Sequence, residues 1–338
     1  MSVLDNKYRT LSLLSKNEVS SVFLGEYMPT GRYVIIKIPI PGQEKIAFER
    51  FEKEYNVLVG LDHPNIVKVI DFSSSFPYLV LEYVNGENAL LAYGNDSAPL
   101  DERYAVLLQL HDTIKYLHLH NLIHRDIKPS NVIIEKHTKR AVLSDFETAM
   151  DVKVKDNTRI HSGDFSPPEL LMGISGYFTD SYSLAKLALF LLLEKLPDEK
   201  ITLFNKLEPF MREDCNKRSV YLDSMLSILP KKPLVYFYQD NIVNKLYPIG
   251  RGDVRIGRGK GSEVKIDDIN YFVDEVHAVI REENVGHVIY DNKSINGLWL
   301  FDKGKFIRII QHILKNNDVL SLGWNSRNGP YMTFRFFV

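Results

Sequence analysis

The sequence predicts an α+β body of two lobes followed by an all-β sandwich. Three observations lead there. Residues 8 to 84 hold short β-rich runs around one amphipathic helix, helices predominate from about Asp101, and short strand-like runs return after Pro230-Lys231-Lys232-Pro233. A chain of 338 residues also exceeds one ordinary core of about 100 to 200 residues, so length alone favours two bodies. We read the boundaries as 1–230, with a small lobe about 1–84 and a large lobe about 85–230, and 233–338.

In the small lobe, Val34 to Ile40 and Tyr78 to Val84 are strand-like, whereas Phe48, Phe51, Tyr55 and Leu58 recur at helical spacing. The large lobe should carry helices over Asp101 to His120, Tyr182 to Lys195, Leu203 to Arg212 and Ser219 to Leu229, broken by short strands Val132 to Ile134 and Val142 to Leu143. Beyond Pro233, turns at Asp240-Asn241, Gly250-Arg251-Gly252, Asn296-Gly297 and Asn316-Asn317 punctuate strands at the spacing of an antiparallel sandwich.

Composition is that of folded matter, with 45% hydrophobic and 25% charged residues. A net charge of -1 offers no overall attraction to nucleic acid or anionic lipid. The single cysteine, Cys215, excludes an intrachain disulfide and fits a reducing cytoplasm. The longest apolar run, Leu187 to Leu193, is far below the roughly 20 residues of a membrane span, so neither membrane nor nucleic acid is expected as a partner.

The chemistry concentrates in His124-Arg125-Asp126-Ile127-Lys128-Pro129-Ser130-Asn131, which resembles the catalytic loop of protein kinases. The resemblance implies that Asp126 orients the substrate hydroxyl, Lys128 faces the transferred phosphate and Asn131 holds magnesium; a lysine at 128 resembles Ser/Thr rather than tyrosine kinases. Asp145-Phe146-Glu147 ends the apolar run Ala141-Val142-Leu143 where the family places its metal-binding Asp-Phe-Gly, which makes Asp145 a second magnesium ligand. Glu147 replaces the glycine and adds a carboxylate beside that site. Val34-Ile35-Ile36-Lys37 resembles the strand whose lysine grips the phosphates of ATP. Glu54 shares a helix face with Phe51 and Leu58, so it should point inward and pair with Lys37; an exposed Glu54 is the alternative.

Ser15, Asn17, Ser20 and Val22 align with the nucleotide-covering Gly-x-Gly-x-x-Gly-x-Val only through Val22, which implies a looser or differently shaped cover. Leu81, Glu82 and Val84 fall where the resemblance puts the gatekeeper and the adenine-contacting hinge. Ser166-Pro167-Pro168-Glu169 resembles Ala-Pro-Glu, with Arg218 as the expected partner of Glu169; Thr158 and Ser162 have the spacing of an activation-loop phosphosite and a docking hydroxyl, with Arg125 as a receiver for phosphate on Thr158. Asp180 is expected to brace the catalytic loop, to cap a helix, or both.

In the last third, Ile256-Gly257-Arg258, His277-Ala278 and Asn296-Gly297 resemble a forkhead-associated (FHA) domain. The resemblance implies that Arg258 contacts phosphothreonine, that Asn296 holds the peptide backbone and that His277 braces the loops, while Ser262, Lys293 and Ser294 lie in the other loops as further candidates to receive phosphate. Read singly, Asn296-Gly297 is an ordinary hairpin turn. Asp274 and Glu275 stand where Ser-Arg is usual, so Asp274 should repel a dianion and pair with Arg258. These expectations combine into an ATP- and magnesium-dependent Ser/Thr kinase that acts on protein substrates, autophosphorylates and carries a reader for a phosphothreonine peptide, from a partner or from its own activation loop. A pseudokinase adaptor is the alternative, motivated by the missing glycines and Glu147.

Overall fold

The computed structural model describes residues 2–95, 98–154, 158–159, 163–228, 234–237, 245–249, 252–316, 318–325 and 329–337. They group into two compact units: Met1–Ser97, Leu110–Lys136 and Ala141–Leu226 in one, Ala98–Gln109, His137–Arg140 and Ser227–Val338 in the other.

The chain opens with strands β1 (Val3–Leu4), β2 (Tyr8–Lys16), β3 (Ser20–Tyr27) and β4 (Arg32–Pro39), then helix α1 (Glu44–Leu58) and strands β5 (Val69–Ser73) and β6 (Tyr78–Glu82). The strands form an antiparallel sheet in the order β1-β2-β3-β4-β6-β5. Tyr8, Val34, Ile36, Tyr78 and Val80 bury together on it, the period-two pattern of a half-covered sheet. Helix α1 buries Ala47, Phe51, Glu54 and Leu58, while Phe48 and Tyr55 lie against Phe72 of β5 with ring centroids 5.8 and 5.3 Å apart. This packing fixes the helix against the sheet and turns Glu54 inward, as its spacing predicted.

After β7 (Gly86–Asn88) and α2 (Ala89–Tyr93), the long helix α3 (Leu100–Leu119) leads to β8 (Leu122–Ile123), β9 (Val132–Glu135), β10 (Ala141–Leu143) and β11 (Met150–Asp151). Strand β8 pairs with β11, and β9 pairs with β10 and β7, so the run from His124 to Asn131 hangs between two strand pairings. Helices α4 (Tyr177–Leu192), α5 (Lys200–Met211) and α6 (Leu222–Met225) follow. Leu184, Leu187, Ala188, Leu191 and Leu192 are all buried, which explains why this apolar run belongs to a core helix. Two expectations change here. Helix α4 begins at Tyr177 behind Gly176, so Asp180 lies in its first turn and is not its N-cap; the helix expected over Ser219 to Leu229 shrinks to α6 and a 3₁₀ turn at Leu226–Ile228. Among the described residues, no helix is long and apolar enough to cross a membrane.

The strand-rich region holds β12 (Leu234–Phe237), β13 (Lys245–Pro248), β14 (Val254–Gly257), β15 (Val264–Lys265), β16 (Ala278–Glu283), β17 (Gly286–Asp291), β18 (Leu298–Asp302), β19 (Lys305–Ile309), β20 (Gln311–Ile313), β21 (Val319–Asn325) and β22 (Gly329–Phe337). They make a six-stranded sheet, β13-β12-β22-β21-β18-β19, and a five-stranded sheet, β15-β14-β16-β17-β20. Ile256, Ile280 and Ile289 of one sheet and Leu298, Leu320, Leu322, Phe334 and Phe336 of the other share a single core, the signature of a sandwich. Asn296-Gly297 is not a hairpin turn: β17 and β18 belong to different sheets, so the loop between them crosses from one layer to the other. Gly297 is required there, since its φ is +77° and a Cβ would sit 2.6 Å from Arg308 Nε.

Candidate functional site

Lys37 stands on β4 directly across from Val22 of β3 and Leu79 of β6. Its side chain is buried, and its ammonium meets three carboxylates: Glu54 Oε2 at 2.7 Å, Glu147 Oε1 at 3.2 Å and Asp145 Oδ1 at 3.5 Å. Glu54 is fully buried, and its second oxygen accepts from the Phe146 N–H at 3.3 Å. One carboxylate thus ties helix α1 both to β4 and to the segment after β10. Burial pushes the Glu54 carboxyl up, as do Asp145 and Glu147, against the pull of Lys37. For Asp145, burial also raises, but Lys37, His124 and Lys128 prevail and hold it below the ordinary carboxylate range.

The catalytic-type run is braced from within. Asp126 Oδ2 accepts from Lys128 Nζ and from Asn131 Nδ2, each at 2.8 Å, while Asp126 Oδ1 is buried without a hydrogen-bond partner among the described residues. Asn131 Nδ2 also donates to the Asp126 carbonyl at 2.9 Å, which leaves the amide oxygen as an acceptor. Asp180, wholly buried in the first turn of α4, accepts the His124 and Arg125 N–H groups at 2.9 Å each and contacts His118 Nε2 at 3.2 Å. Burial raises its carboxyl, but His118 and those two N–H groups outweigh it and keep Asp180 ionised. Arg125 (φ +68°) and Asp145 (φ +65°) both hold left-handed backbone without being glycine, a local cost that the surrounding bonds must offset. Buried His124 stays neutral, lying edge-on to Phe146 at 4.6 Å.

Glu169 and Arg218 pair as expected, with Nη1 to Oε1 at 2.5 Å and Nη2 to Oε2 at 3.1 Å. The β2–β3 connection differs from a glycine-rich cover in a specific way. Asn17 Oδ1 accepts the N–H groups of Val19 and Ser20 at 2.9 and 2.7 Å, and Ser15 stands across from Val22 in the ladder. The turn therefore satisfies its own donors. Leu81 is buried and Glu82 ends β6, with its N–H on the Lys68 carbonyl at 2.9 Å; Val84 is buried two residues further on. Thr158 is exposed, Arg125 is buried with its Nε donating to the Thr148 carbonyl at 2.6 Å, and Ser162 lies outside the described residues.

Sequence reasoning missed Arg50, whose Nη1 lies 3.7 Å from Glu147 Oε2. Helical spacing held the signal, because Arg50 is one turn before Glu54 and faces the same edge of the site. It also missed the hydroxyls of Ser144 and Thr148, which donate to the Asn131 and His124 carbonyls at 3.0 and 2.9 Å.

In the sandwich, Arg258 follows β14 and its N–H donates to the Asp274 carbonyl at 3.0 Å. Gly257 permits that approach, since a Cβ there would fall 2.3 Å from the Glu275 carbonyl oxygen. The guanidinium lies over Tyr271 at 4.7 Å, with Nη1 3.9 Å from Glu275 Oε1 and Nε lacking a hydrogen-bond partner among the described residues. The expected Asp274–Arg258 pair gives way to another arrangement: Asp274 Oδ2 accepts the Ile295 N–H at 2.9 Å and staples the two loops together. His277 donates from Nε2 to the Gly297 carbonyl at 3.0 Å and accepts the Asp274 N–H at 3.2 Å, a neutral imidazole held neutral by burial. Ser294 Oγ donates to Asp291 and Asn296 Nδ2 donates to the Phe272 carbonyl at 2.8 Å, so both side chains shape the loops beside Arg258.

A two-lobed body with a lysine–glutamate pair joining sheet and helix, a braced Asp–Lys–Asn loop and a following β-sandwich defines the class. Residues 8–226 match the family model of the protein kinase domain and residues 254–323 that of the FHA domain. The chain belongs to the protein kinase family and carries an FHA domain behind the kinase domain. It is similar to serine/threonine-protein kinase pkn2 of Myxococcus xanthus, 35% identical over 154 residues that cover 44% of this chain and 18% of that protein. It is 30% identical over 204 residues to the probable serine/threonine-protein kinase PknB of Lactococcus lactis, covering 57% and 32%. With serine/threonine-protein kinase D of Synechocystis it shares 32% over 222 residues, covering 59% and 43%. The chain thus spans less than half the length of these relatives.

Proposed function

We propose that the chain is an ATP- and magnesium-dependent Ser/Thr protein kinase, with a catalytic domain over 1–230 and a phosphothreonine-reading FHA domain over 233–338. The observation that carries this reading is the bracketed Asp126: one oxygen is held by Lys128 and Asn131, and the other is buried with no partner among the described residues. A buried carboxylate oxygen left open in this way is suited to accept the proton of a substrate hydroxyl.

The donor set fits the hard, oxygen-seeking magnesium ion, with a carboxylate at Asp145 and an amide oxygen at Asn131 whose nitrogen is already engaged. Held by Asp145 and Asn131, magnesium would supply positive charge against the phosphates of ATP. Lys37 donates to the phosphates from its place beside Glu54, Lys128 donates to the transferred group, and Leu81, Glu82 and Val84 border the adenine. Ser15, Asn17, Ser20 and Val22 form a cover that holds phosphate less firmly, because Asn17 has taken two of its N–H donors. Phosphoryl transfer asks the protein for position and electrostatics rather than covalent chemistry, which is what these residues offer. Arg258 receives the phosphothreonine of a peptide beside Ser294 and Asn296, and Thr158 is the candidate autophosphorylation site.

The test is transfer of γ-phosphate from ATP with magnesium by the intact chain and by Asp126→Ala, with modified residues mapped by mass spectrometry. Transfer lost in the variant supports the kinase. A second reading, a pseudokinase adaptor, is favoured by the closed Asn17 turn and by Glu147 on Lys37. Absence of transfer and of any stabilisation by MgATP would select it.

A further inference from the structure

An ammonium has three protons, and those of Lys37 face three carboxylates. Glu54 is buried and tied at its other oxygen to Phe146, so it stays. Asp145 would hold the magnesium on the reading above. The remaining partner is Glu147, a carboxylate at 3.2 Å whose other oxygen lies 3.7 Å from Arg50, a half-exposed residue on α1. Incoming phosphate oxygens need the Lys37 proton that Glu147 holds. Glu147 also adds a negative charge facing a polyphosphate that is itself strongly negative.

We propose that Glu147 is a positioning residue that competes with the phosphates of the nucleotide for Lys37, and that Arg50 is the alternative cation that receives Glu147 when the nucleotide enters. The inference rests on the nucleotide-binding reading above and adds a determinant of its affinity. Two opposed consequences follow from the geometry. Removing the charge at 147 frees Lys37 and strengthens phosphate binding. Removing Arg50 leaves Glu147 with Lys37 alone and weakens it.

The experiment measures binding of MgATP and of adenosine to the full chain, to Glu147→Gln, to Glu147→Gly and to Arg50→Ala by calorimetry. Adenosine lacks phosphate, so it reports on the integrity of the pocket alone. We expect Glu147→Gln to bind MgATP about three- to tenfold more tightly, as loss of a charged competitor at hydrogen-bond distance implies. Arg50→Ala should bind it about two- to threefold more weakly, the scale of a half-exposed ion pair. Adenosine affinity should not move in either. Parallel changes for adenosine and MgATP would make Glu147 merely structural and overturn the proposal. So would weaker MgATP binding by both Glu147→Gln and Glu147→Gly, or a rise in the magnesium concentration they require, since Glu147 would then be a metal ligand. Adenosine and MgATP both failing to bind the unaltered chain would instead overturn the nucleotide reading on which the proposal stands.

Discussion

Replacing Lys37 with Met should destabilise the helical part of the chain in a pH-dependent way, and the structure sets the size. Methionine keeps the length and packing of the side chain but removes the cation 2.7 Å from Glu54. Glu54 is fully buried, so it will not remain charged beside Asp145 and Glu147; it takes up a proton. At pH 7.5 that uptake lies about three units above the ordinary glutamate value of 4.5. At about 1.4 kcal/mol per unit it costs about 4 kcal/mol. The intact pair contributes little net, since Coulomb attraction and desolvation nearly cancel in a buried ion pair, so about 4 kcal/mol is the expected loss. At pH 5 the same step costs less than about 1 kcal/mol. Urea unfolding followed by circular dichroism at 222 nm reads this directly, because α1 to α6 all lie before residue 226. Trp299 and Trp324, the only tryptophans, report the sandwich separately and should be unaffected. A loss equal at both pH values, or below about 1 kcal/mol at pH 7.5, would refute the argument.

Arg218→Ala leaves Glu169, 1% exposed, without its bidentate partner, and should cost about 3–5 kcal/mol by the same dichroism assay, with Arg218→Lys losing less. His277 is held below the ordinary 6.5 by burial, so the unfolded chain binds a proton that the folded one refuses. Sandwich stability, read from tryptophan fluorescence during unfolding, should therefore hold above about pH 6.5 and fall as the pH drops below it, with a shallower slope in His277→Gln. Glu275→Ala removes a carboxylate 3.9 Å from Arg258 that is 76% exposed, so a phosphothreonine peptide should bind only about two- to fivefold more tightly, and Arg258→Ala should abolish that binding in a titration calorimeter.

Local pattern and spacing made much of this chain legible. Helical periodicity placed Glu54 beside Phe51 and Leu58 and so turned it toward Lys37, because side chains three and four apart share a face wherever the helix lies. The run from His124 to Asn131 carries its own geometry, since Asp126, Lys128 and Asn131 are too close in sequence to be brought together differently. Short strand-like runs punctuated by turn residues announced the sandwich. Tertiary structure decided the choice of distant partners. Glu147 reaches Lys37 across 110 residues and Arg50 from a separate helix, and nothing in the order Asp-Phe-Glu says which cation will be nearest. For Asp180 the sequence left two roles open, a helix cap and a brace for the catalytic loop; packing places Gly176 at the cap and turns Asp180 to the N–H groups of His124 and Arg125. Asp274 was expected to seek Arg258 by charge, but its carboxylate meets the Ile295 N–H where two loops converge. Periodicity and short motifs survive in one dimension because the backbone repeats; a hydrogen bond between surfaces far apart in the chain depends on direction and distance, and those exist only once the lobes and sheets have packed.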